Sequence, residues 1–135
     1  MSKLKRCLFS VFILSGCYSF AQPAVVVHKF DSIFQACVYT GDNQVQCAGR
    51  YAKEMDSMLT VVYNILFVRC DDEGKVKLKK EEDEWITERD AYFAKVSTET
   101  TDTNMGDEGE QVVILSKDAA YVRQRIGQLL NRLTY

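Results

Sequence analysis

The side chains that could do covalent chemistry in this chain are few and poorly placed for it. Nucleophilic catalysis by a Ser–His or Cys–His pair needs a base held within hydrogen-bond reach of its nucleophile. The only histidine is His28, in a stretch (residues 22–36) expected to be an extended arm unable to hold an imidazole in place. Metal-ligand spacing is also missing, with no Cys-x-x-Cys, no His-Glu-x-x-His and no glycine-bearing calcium loop. Asp71-Asp72-Glu73-Gly74 is acidic but lacks the alternating oxygen ligands that a calcium loop requires. No glycine-rich segment could cradle a phosphate. The 19 Asp and Glu residues are too many to single out a glycosidase pair, since any two could meet across a cleft. These observations predict a non-enzyme without cofactor or metal.

The first 21 residues read as an export signal. Lys3, Lys5 and Arg6 supply the positive start, and Cys7 to Leu14 is apolar apart from Ser10. The segment is short of the ~20 apolar residues of a permanent span. Two cleavage sites stay open. Leu14-Ser15-Gly16-Cys17 has the form of a lipobox, which would place a lipid on Cys17, whereas Ser19-Phe20-Ala21 suits ordinary signal peptidase. The expected location is the periplasm or outer envelope, with membrane contact only through a lipid on Cys17.

Beyond Ala21, Cys37, Cys47 and Cys70 remain. In an oxidising compartment cysteines tend to pair. Cys37 and Cys47 flank the Gly41-Asp42-Asn43 turn signal and are the expected disulfide, closing a loop worth about 2–3 kcal/mol in the chain-entropy model. Cys70 is left as an odd thiol, read as a small buried hydrophobe at a helix end. From Gln22 onward the chain has 14 basic against 19 acidic residues, a formal charge of −5. That balance argues against nucleic acid and anionic membranes and for a cationic partner.

Apolar periodicity supplies the frame. Ala48, Tyr51, Ala52, Met55, Met58, Leu59, Val62, Tyr63 and Leu66 recur at helical spacing and predict a helix over 43–68, capped by Asp42 or Asn43 and ended by 70–74 with a turn at Gly74. A second helix is predicted over 75–96, with a thin stripe that includes Trp85 and Ile86. Its opposite face is a ladder of Lys77–Glu81, Lys79–Asp83 and Lys80–Glu84 pairs, each worth a few tenths of a kcal/mol. Residues 97–109 are polar and aperiodic and read as a long loop. A third helix is predicted over 111–133, with Val122, Ile126, Leu129, Leu130 and Leu133 inward. The β-prone Ala24-Val25-Val26-Val27 has no evident strand partner and is assigned to the arm. The expectation is an all-α, three-helix bundle (residues 37–135) behind an extended arm (22–36) and a signal (1–21).

Trp85-Ile86-Thr87-Glu88-Arg89-Asp90 and its surroundings resemble the LprI-type lysozyme inhibitor domain family, which consists of small exported bacterial proteins or lipoprotein domains. Cys37 matches the family's early cysteine and Cys47-Ala48 its helix head. Met55-Asp56-Ser57-Met58-Leu59-Thr60, followed by Tyr63, stands where Ala-Asp-x-x-Leu-Asn and a tyrosine occur. Arg123-Gln124-Arg125 and Gln128-Leu129 match the closing helix. Glu82 and Thr60 replace the usual glutamine and asparagine. Phe93 and Lys117 stand where many members carry two further cysteines, which leaves the second and third helices joined by packing alone. Among the signature residues Leu59, Tyr63, Trp85, Arg89 and Asp90, a structural role is expected, with Trp85 as a core anchor and the Arg89 guanidinium over its indole.

The resemblance implies an envelope protein that inhibits a cationic lysozyme by binding it. In this reading the 97–109 loop would plug the enzyme's cleft through Thr103 and Asn104, with 70–74 as second choice. The alternative is a non-catalytic helical accessory module of the envelope with no action on lysozyme.

Overall fold

A computed structural model describes residues 21–41, 43–101, 103 and 105–133. Residues 1–20 of the predicted leader, including Cys17, lie outside the described residues, as do Asp42 and Asn104. The fold is all-helical, with four helices among the described residues: α1 (Ala21–Thr40), α2 (Gln44–Arg69), α3 (Asp72–Thr101) and α4 (Asp107–Leu133).

The expected extended arm is therefore a helix. Its three consecutive valines disfavour helix only weakly, and tertiary burial overrides such preferences. Val27 is buried in the common core, and Val26, Phe30 and Phe34 pack against it at helical spacing. Pro23 falls in the first turn, where its missing N–H breaks no ladder bond.

α2 starts where the sequence predicts. Asn43 takes the left-handed conformation, and its side-chain oxygen accepts a 3.1 Å hydrogen bond from the Gln46 N–H. Its end differs from expectation, because Gly74 is not a turn. The break between α2 and α3 is only Cys70 and Asp71. The Asp71 carboxylate accepts a 2.8 Å bond from the Gly74 N–H and so caps α3.

The long loop is corrected as well. Residues 97–101 continue α3, and α4 begins at Asp107. Thr98 and Thr101 return their hydroxyls to the Ala94 and Ser97 carbonyls at 3.0 and 2.9 Å, which lets polar residues stay helical. Buried Val96 and Thr100 anchor this extension. The remaining turn closes through Gly106, whose φ of 79° is easily reached only without a Cβ.

α2 and α4 form the central pair and run in the same direction. Gly49 faces Leu115 near one end, and the Arg69 guanidinium donates to the Leu133 carbonyl at the other. Met55, Val62, Val122, Ile126 and Leu129 fill the seam with almost no exposure. α1 lies antiparallel on α2, and α3 lies antiparallel on α4, contributing Leu78 and Trp85 to the core. The Cys37–Cys47 disulfide forms as expected, joining the end of α1 to the first turn of α2. Cys70 is free and half-buried.

A polar clamp fastens α1 to the central pair. The Asp31 carboxylate accepts bonds from Arg123 at 2.6–3.0 Å and from the Tyr51 hydroxyl at 2.6 Å. His28 is exposed, and its Nδ1 lies 3.6 Å from the same carboxylate. The hydrogen bond from Arg123, and more weakly that from Tyr51, holds Asp31 below the usual carboxylate range against the opposing effect of burial. A depressed carboxylate adds stability that is present above its unfolded pKa and disappears as pH falls through the folded one. Asp31→Asn should thus cost about 1–2 kcal/mol at pH 7. In urea titrations the gap from the parent should narrow below about pH 4. A gap independent of pH would show that the carboxylate's charge is not what holds α1.

Candidate functional site

Of the signature residues, Trp85, Arg89 and Asp90 lie on α3, with Trp85 at its seam with α4. Trp85 is 7% exposed and belongs to the core cluster. Its ring stacks near Tyr121 with centroids 6.0 Å apart, and Tyr121 stacks in turn on Tyr92 at 4.4 Å. The Arg89 guanidinium lies 5.6 Å from the indole centroid, as the i,i+4 spacing predicts, and 5.7 Å from the Phe93 ring. Asp90 binds Arg89 from the neighbouring position at 2.7 Å, near the surface. Leu59 and Tyr63 lie on α2. Leu59 is buried, and Tyr63 is half-buried against Phe67, its hydroxyl pKa raised chiefly by burial.

Arg123 and Arg125 both pair with carboxylates on other helices. Arg123 reaches Asp31, 92 positions away. Arg125 donates to Glu82 at 2.8 and 3.1 Å while lying 5.7 Å from the Trp85 centroid. Both side chains of that pair are only 12% exposed. Arg132 reaches Glu81 at 2.6 Å, which leaves Lys80–Glu84, at 3.7 Å, as the one observed rung of the expected ladder. The α3–α4 contact thus holds through ion pairs as well as packing, with Phe93 set edge-on to Tyr121 where the family often has a cysteine.

Between α3 and α4 runs a groove of about 410 Å³ with Trp85 and Tyr121 in its lining. Glu81, Glu84 and Glu88 line it from α3, and Gln124, Arg125 and Gln128 from α4. Glu84 and Glu88 are one turn apart on the same side of α3. Among the described residues, Glu88 and Gln124 make no hydrogen bond or ion pair within the chain. The α3 charge run had the signal for this groove, but without α4 it reads only as a solvated face.

Behind the same seam, Asp56 of α2 and Asp118 of α4 are close enough for their charges to interact. Burial raises both carboxyls. Arg89 lowers Asp56 in part, and the Asp56 charge raises Asp118 further. One Asp118 oxygen is buried with no partner. The pairing brings the Met55-Asp56 motif next to the Trp85–Asp90 motif across helices, a proximity that spacing along the chain does not reveal.

The proposed plug is smaller than the sequence suggests. Only residues 102–106 separate α3 from α4, and the Thr103 hydroxyl donates to the Thr100 carbonyl at 2.6 Å. No group of three or more His, Cys, Asp or Glu side chains among the described residues is arranged to hold a metal ion. Nor is any helix among them long and apolar enough to cross a membrane.

A family model described as "Lysozyme inhibitor LprI" matches residues 37–129. No curated protein and no solved structure matches the chain.

Proposed function

Because the chain belongs to the LprI lysozyme-inhibitor family, we propose that it is an exported envelope protein that protects peptidoglycan by docking onto a lysozyme. The family match over residues 37–129 carries this reading. Physical chemistry agrees with it. The formal charge of −5 beyond the leader steers the protein toward a cationic muramidase, with an on-rate that falls as salt rises. The proposed action is binding, in keeping with the family's description as an inhibitor.

In a cell-wall clearing assay, purified mature protein in molar excess should slow clearing by c-type lysozyme and cause no clearing alone. Undiminished clearing at saturating protein would leave the accessory-module reading in place, which one disulfide and a free Cys70 also suit. The segment with Thr103 and Asn104 is the contact with lysozyme in this reading, and residues 70–74 the second choice. A Thr103→Ala/Asn104→Ala variant that inhibits like the parent removes it.

A further inference from the structure

We infer that the Cys37–Cys47 bond is a site of thiol–disulfide exchange, at which a small thiol bearing a carboxylate or sulfonate forms a mixed disulfide with Cys37. The site is a groove of about 430 Å³ at the start of α2, lined by both cysteines, Gln46, Arg50 and Lys53.

Three features single out this bond. The first is access, since Cys47 is 3% exposed whereas Cys37 is only partly buried, so Cys37 Sγ is the sulfur open to attack. The second is charge. The Arg50 guanidinium donates to Cys37 Sγ at 3.5 Å, and Lys53 lines the same groove one turn along α2. Among the described residues neither cation is held in an ion pair. Glu54, the nearest acid along α2, lines the adjoining groove with Phe30 and Ile33 of α1. A chain of formal charge −5 beyond its leader thus presents a locally positive groove at its disulfide. Third, Cys47 lies in the first turn of α2, where the partial positive charge of the helix start favours a departing thiolate. A bond kept only as a staple needs neither the open groove nor the unpaired cations.

The incoming thiolate adds to Cys37 Sγ and the Cys37–Cys47 bond breaks. Its electron pair leaves on Cys47 Sγ, which takes up a proton from water. No net oxidation occurs, so no oxidant or reductant is consumed. Arg50 and Lys53 draw in the carboxylate or sulfonate and offset the negative charge spread over three sulfurs in the transition state. The adduct unpins the end of α1 from α2, while Asp31, bonded to Arg123 and Tyr51, still holds the middle of α1.

The test exposes the mature protein to 2-mercaptoethanesulfonate, 2-mercaptoethanol and cysteamine, thiols of one skeleton but different charge. They are compared at equal thiolate concentration and low ionic strength, with acid quenching and mass spectrometry of the adducts. The net charge of the protein favours cysteamine, whereas the groove favours the sulfonate. Mercaptoethanesulfonate should therefore react fastest, about fivefold ahead of mercaptoethanol, and the first adduct should map to Cys37. Arg50→Gln/Lys53→Gln should erase that preference. Lys77→Gln/Lys79→Gln, the same charge change on exposed positions of α3, should keep it. Comparing the thiols within each protein cancels any change in stability. Equal rates for the three thiols, or cysteamine reacting fastest with the parent, would overturn the site. So would a sulfonate preference that survives Arg50→Gln/Lys53→Gln, or a first adduct on Cys47.

Discussion

Replacing Arg125 with methionine should cost about 3–5 kcal/mol of folding stability. Glu82 and Arg125 are each 12% exposed and joined at 2.8 Å, so loss of the guanidinium leaves a carboxylate enclosed between α3 and α4 without its cation. The guanidinium also covers the Trp85 ring, and that contact disappears too. The double change Glu82→Leu/Arg125→Met should recover most of the loss, because an apolar pair of similar volume carries no desolvation cost. Glu82→Gln should fall between, since an amide oxygen still accepts from Arg125. Urea unfolding of the four proteins at pH 7 checks the order. A single variant no less stable than the parent would mean that water screens the pair despite its low exposure.

Trp85→Ala should be comparably severe, at about 3–5 kcal/mol. Trp85 is the largest side chain that α3 contributes to the common core, and Tyr121, Arg89 and Arg125 all pack on it. Truncation would leave a cavity at the α3–α4 seam and remove the surface on which both guanidiniums lie. The thermal midpoint should drop by roughly 10 °C or more. Trp85→Phe keeps an aromatic plane and should cost less than half as much. If Trp85→Ala left stability unchanged but abolished lysozyme binding, the indole would be a contact residue and not an anchor. The variant thus separates two roles that the Trp-Ile-x-x-Arg-Asp pattern leaves undivided.

Other parts of the fold differ in how far the chain order reveals them. The α2 face was legible because one long stripe of apolar residues specifies a helix and its buried side together. The Cys37–Cys47 bond was legible because its two cysteines flank a turn. The helical state of α1 was not, since its local preferences conflict. Three β-branched valines oppose helix, while Val27, Phe30 and Phe34 favour it only once α2 and α4 provide a surface to cover. Residues 97–101 were missed for a related reason. Ser and Thr are common in loops because they compete for backbone bonds, yet at helical spacing the same hydroxyls bond the preceding turn.

The ion pairs illustrate the same limit from another side. Asp31 and Arg123 are 92 positions apart, and nothing near either one names the other. Glu82 and Arg125, 43 positions apart, meet because α3 and α4 lie antiparallel at that register.

Sequence alone therefore determined the helical class, the seam residues of α2 and α4 and the disulfide, which follow from periodicity and short-range spacing, and the family, which its motifs resemble. Only the tertiary structure decided that the segment expected as an arm is a fourth helix, which acids neutralise which arginines, and that a groove opens between α3 and α4. Those outcomes depend on distances between remote helices, and such distances are set by packing of the whole core rather than by any local run of residues.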